Sequence, residues 1–206
     1  MTMTNQAAIA ALAGSLLALA ACSTAPTQFY PLMPPPSAAP PLSASFQIEV
    51  QSVDLPPQVS TPQLVVRTGG SEMVPVDTRR WIAPLGDEIR DALSADLSRQ
   101  LGVRDVYGLP GGGTAPGMPV WRINVKVQRF ESALGAYARI DTVWTLRRAG
   151  DQAIALTCGS SISESVQPGY PALVEGHQRA VAQLAAQIAA GLGAAQQGGG
   201  SGCPAS

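Results

Sequence analysis

Three long stretches of this chain, Val120 to Phe130, Ala138 to Leu146 and Ile154 to Ile162, alternate apolar and polar residues with a period of two. That period belongs to extended chain with one face buried and one solvated. In the first stretch Trp121, Ile123, Val125 and Val127 oppose Arg122, Asn124, Lys126 and Gln128. Ala149-Gly150-Asp151 supplies a tight turn between the second and third, and Gly111-Gly112-Gly113 reads as a loop ahead of the first. The expected arrangement is an antiparallel meander, which excludes an all-helical fold.

The same alternation places Phe46, Ile48 and Val50 on the inner face of an earlier strand that ends at Leu55-Pro56-Pro57. Gln63 to Arg67 reads as a short strand turning at Gly69-Gly70 into Glu72 to Val76. Two helices complete the pattern. Pro84 suits the first turn of one ending near Gly102, with Leu85, Ile89, Leu93, Leu97 and Leu101 on a single stripe. Trp81 and Ile82 precede it and are expected to extend its buried face. The second begins near Pro171 and aligns Leu173, His177, Val181, Leu184, Ile188 and Leu192. The expected fold class is therefore α+β, a mostly antiparallel sheet with two amphipathic helices packed on it, on one face.

Ahead of this domain, Leu19-Ala20-Ala21-Cys22 closes an apolar leader too short for the ~20 residues that span a bilayer. It reads as a bacterial lipoprotein signal over residues 1–21, with cleavage before Cys22. Cys22 is then the lipid attachment point, carrying a thioether diacylglycerol and an amide-linked acyl chain such as palmitate. Multiple chains make release slow, at ~0.8 kcal/mol per buried methylene. Ser23, in place of an acidic residue, favours the outer membrane over inner-membrane retention. Residues 22–45 hold seven prolines after Thr24 and read as an extended tether, with a reach of roughly 70 Å at ~3.1 Å per residue. Phe29-Tyr30-Pro31-Leu32 is an apolar cluster within it that can pack on the domain. The folded domain is expected over 46–192, followed by a flexible Gly-rich tail over 193–206. Cys158 and Cys203 remain either as a disulfide, in keeping with an oxidising compartment, or as free thiols.

Removing 21 of the 206 residues leaves 185, enough for one domain with a sizeable core. The formal net charge of −1 implies no basic face and argues against nucleic acid. Catalytic constellations are missing as well. His177 is the one histidine and sits on an apolar helix stripe, the position of a core residue. His177, Cys158 and Cys203 lack the paired spacing of a zinc site, and the Gly111 loop lacks the Lys-Ser/Thr of a phosphate cradle. Asp87, Glu88 and Asp91 share one helical turn, where negative charge complements the helix dipole. Arg79-Arg80 and Arg147-Arg148 are basic doublets at element ends, solvated or in contact with headgroups or a partner. No enzyme activity, cofactor or metal is expected.

Taken together, the lipobox, Phe29-Tyr30-Pro31-Leu32, Leu55-Pro56, Thr61 to Arg67, Arg80-Trp81-Ile82-Ala83-Pro84-Leu85 and the helix from Tyr170 to Leu192 resemble one family. It is that of the PqiC-like auxiliary lipoproteins of ABC-type, Mce-linked lipid transport systems. Ile82 stands where many relatives have Ala, and Ser60-Thr61 where Asp-Arg is usual. The resemblance implies a non-enzymatic accessory facing the periplasm. Its partners would be an Mce-domain, periplasm-spanning protein and the inner-membrane transporter behind it, and its role would be to maintain envelope integrity. Phe29, Tyr30 and Trp81 are the residues expected to dock that partner. Exposed sheet edges leave room for a homo-oligomer. Two other classes stand beside this reading: a tethered lipoprotein regulator of a peptidoglycan synthase, and a periplasmic hydrolase.

Overall fold

The computed structural model describes residues 25–33, 35, 42–109, 117–151, 153–197 and 202–204. Cys22, residues 23, 24, 34 and 36–41 of the expected tether, and the Gly111 to Gly113 loop lie outside them. The elements run β1 (Gln28–Tyr30), β2 (Gln47–Val50), β3 (Gln63–Arg67), β4 (Met73–Trp81), α1 (Leu85–Leu101), β5 (Val120–Ala133), β6 (Tyr137–Arg148), β7 (Leu156–Ser165) and α2 (Tyr170–Gln196). A single turn of 3-10 helix at Pro57–Val59 follows β2.

The fold is α+β, but its strands divide into two sheets where the sequence suggests one. The four-stranded sheet has the order β2-β5-β6-β7 and the three-stranded sheet the order β1-β4-β3. Both carry a parallel edge strand, since β2 pairs parallel with β5 and β1 parallel with β4. The remaining pairings are antiparallel, and β5-β6-β7 is the expected meander.

Two features of β5 to β7 shape the interior. A bulge between Val127 and Arg129 shifts the alternation of β5 by one residue. Without it Arg129 and Glu131 would face the core. With it Phe130 and Ser132 do, and both are buried. The second feature is the close approach of α2 to the sheet. A Cβ on Gly176 would lie 2.3 Å from Val166 Cγ1, and one on Gly191 would lie 2.7 Å from Trp144 Cη2. Only glycine admits the helix at that distance. Leu184, Ile188 and Leu192 then join Trp144, Leu146 and the α1 stripe of Ile89, Leu93 and Leu97 in one core.

Several boundaries differ from the sequence reading. Strand β1 lies inside the stretch expected as a tether, so the folded domain begins at residue 28 rather than 46. Leu32 is completely buried in the main core. Strand β4 extends past Val76 to Trp81, α2 runs to Gln196, and Ile154 is exposed ahead of β7. The tail is tied down, because Cys158 of β7 and Cys203 form a disulfide.

Candidate functional site

The site is built where β4 hands over to α1. Consecutive amides of an extended strand point to opposite sides. Accordingly, the Trp81 N–H donates to the Pro62 carbonyl at 2.9 Å and the Ile82 N–H to the Tyr30 carbonyl at 3.1 Å. The turn is thereby held between β1 and the start of β3. Pro84 then opens α1, its carbonyl accepting from Asp87 and Glu88 at 2.9 and 3.0 Å. Between this turn, β1 and the segment from Val53 to Pro62 lies a groove of about 530 Å³. Leu55, Pro62, Ala83 and Leu85 are among its apolar walls, Asp54, Ser60, Thr61, Arg80 and Asp87 among its polar ones. Phe29 and Ile82 line it too, and both are largely in solvent, at 56% and 62% exposure.

Beneath the groove is a stack of rings. Trp81, only 4% exposed, meets Phe130 edge-on at 6.0 Å and His177 edge-on at 6.2 Å. His177 lies flat on Phe130 at 4.0 Å, and its Nε2 is 2.8 Å from Ser132 Oγ. Its Nδ1 has no hydrogen-bond partner among the described residues. Complete burial lowers the pKa of His177 from 6.5 to about 3, so the ring is neutral.

Glu88 fastens the assembly. Its carboxylate accepts the Leu32 N–H at 2.6 Å and is also hydrogen-bonded by the Ala83 backbone. Burial pushes its pKa up, against the opposing pull of those two amides. One acidic side chain thus links the chain leaving β1 to the turn that opens α1.

Of the residues singled out from sequence, Phe29 and Trp81 come together here, on opposite sides of the groove wall. Tyr30 is half-buried against the core, and its hydroxyl donates to Gln28 Oε1 at 2.8 Å. Ile82, assigned from sequence to the buried face of α1, is instead at the surface. Sequence reasoning also missed the Glu88 clamp, which joins residues far apart in the chain and leaves no local signal. Cys158 and Cys203 stand apart from the groove, on β7 and the tail. Arg79 lies over the Tyr170 ring at 5.0 Å, tying β4 to the start of α2. The groove lining contains no histidine, lysine or cysteine. Its shape and apolar walls suit binding by contact.

The model of the family described as ABC-type transport auxiliary lipoprotein component matches residues 30–189, from β1 through most of α2. The chain belongs to this family. Two solved structures share the fold of this auxiliary lipoprotein. One, an uncharacterized protein, superposes with a TM-score of 0.63 at 21% identity, covering 82% of this chain and 99% of its own. The other, protein XCC0632 from Xanthomonas campestris, gives a TM-score of 0.65 at 17% identity, covering 84% of this chain and 98% of its own. At such identities the likeness is one of fold. No curated protein matches the sequence. Among the described residues, no helix of the auxiliary lipoprotein is long and apolar enough to cross a membrane.

Proposed function

We propose that this protein is a non-enzymatic auxiliary component of an Mce-linked ABC-type lipid transport system. It is anchored in the outer membrane through acylated Cys22, faces the periplasm and contributes to envelope integrity. The family match over residues 30–189 carries the reading, joined to the lipoprotein signal that ends at Cys22. Its partner is a periplasm-spanning Mce-domain protein, and through it the inner-membrane transporter. Pairing between exposed strand edges of several copies belongs to the same proposal.

The test is purification of the full-length lipidated protein from its own envelope after mild cross-linking, with mass spectrometry of what accompanies it. Recovery of an Mce-domain protein or a permease supports the proposal. Recovery of a peptidoglycan synthase without any transporter component overturns it.

A further inference from the structure

The stretch from Gln28 to Leu32, which the sequence offers as part of a long leash, belongs to the domain. Strand β1 starts at Gln28, Leu32 is completely buried with its amide held by Glu88, and Gln178 of α2 donates to the Pro31 carbonyl at 3.1 Å. Only residues 23–27 separate Cys22 from the first paired residue. Fully extended at ~3.6 Å per residue, the path from Cys22 to Gln28 cannot exceed about 22 Å.

The domain is longer than that. Helix α2 has 27 residues, about 40 Å at ~1.5 Å each. Its first residue, Tyr170, lies beneath the Arg79 guanidinium, and Arg79 pairs directly with Gln28. Its last residue, Gln196, borders a cleft with Arg148 and Asp151 at the other end. A leash about half the length of α2 holds the Gln28 end within about 22 Å of the anchor, whereas the Asp151 end is free to stand farther from it.

The residue after Gln28 is Phe29, which pairs with Arg80 and lines the groove together with Ile82. An exposed aromatic ring, an exposed branched aliphatic chain and a guanidinium form the composition of an interfacial contact. Arg80 forms no ion pair among the described residues. Asp54 and Asp87 line the same groove, so apolar burial drives the contact rather than attraction to anionic headgroups.

We propose that Phe29 and Ile82 form a membrane-contact patch that seats this end of the domain on the phospholipid surface holding its own anchor. The inference rests on acylation of Cys22, proposed above. It moves Phe29 from the transport partner to the bilayer and leaves the Asp151 end of the molecule facing the periplasm.

The experiment uses the mature full chain, acylated at Cys22, in vesicles of phosphatidylethanolamine and phosphatidylglycerol with brominated acyl chains. Ile82→Trp and Asp151→Trp each add a solvent-facing indole to the three buried native ones, and the unsubstituted protein gives the baseline. Loss of the emission added at position 82, with that at 151 retained, is the expected result. Equal emission at both positions in brominated and plain vesicles overturns the proposal. So does an indole at 82 that is shielded only when a transporter protein is added. If intact mass shows no acyl chain on Cys22, the anchor reading fails separately. The same pair, coupled through the Cys22 thiol to a maleimide phospholipid, then reads the patch by itself.

Discussion

His177 shows how much a neighbourhood decides about one side chain. Stacked on Phe130 with Trp81 edge-on to both rings, it stays neutral down to about pH 3, whereas the unfolded chain takes up a proton near 6.5. The unfolded state therefore binds more protons between those values. Stability is complete above about pH 6.5 and falls as pH drops below it, by up to about 1.4 kcal/mol per unit. Urea unfolding at pH 7.5 and pH 5 is expected to show that slope in the wild type and a much flatter one in His177→Leu. Trp81 and Phe29 separate by the same reasoning. Trp81→Ala empties the stack and is expected to cost about 3–5 kcal/mol in chemical denaturation. Phe29→Ser, at an exposed site, is expected to change stability by less than about 0.5 kcal/mol. Sequence placed both among docking residues because apolar character is visible there and exposure is not. Ile82 was legible in principle: with β4 carried through Trp81, strict alternation puts the next residue outside.

Strands and helices were easier to find where a period persisted. The meander of β5, β6 and β7 and the leucine stripe of α1 each repeat often enough to stand out. Strand β1 has three residues and no repeat to show, so its place in a sheet comes from Arg79 to Trp81, far along the chain. The bulge in β5 was hidden for a related reason, since it is a break in the pattern by which strands are recognised. Removing the Glu88 clamp tests how β1 is held. Glu88→Ala frees the Leu32 amide, and the expected result is faster chymotrypsin cleavage after Phe29 than in the wild type, with Glu88→Gln intermediate. Helix α2 offers a test of sign. Gly→Ala in a helix ordinarily gains up to about 1 kcal/mol. At Gly191 the new methyl would meet the rigid indole of Trp144, and overpacking of this kind costs about 1–3 kcal/mol. Gly191→Ala is therefore expected to lower the melting temperature.

Across the whole molecule, the bond between Cys158 and Cys203 closes a segment of 45 residues that contains all of α2. A crosslink over that separation restricts the unfolded chain by about 4 kcal/mol in the loop-entropy treatment. Cys203→Ser is expected to lose a large part of this, read as a lower urea midpoint, with addition of dithiothreitol giving the same midpoint in the wild type. Two cysteines alone left both pairing and free thiols open. The division into two sheets was equally hidden, because alternation marks strands without naming their neighbours. The two parallel edge strands carry a further consequence, in the order of folding. Hairpin neighbours in β5, β6 and β7 meet early, whereas Gln28 has to wait for Arg79 and Gln47 for Val120. The amino-terminal strands are thus expected to settle last, although they are the first to be synthesised. For a chain acylated at Cys22, as proposed above, that order would leave the stretch beside the cysteine open to the envelope's processing enzymes until β1 pairs with β4.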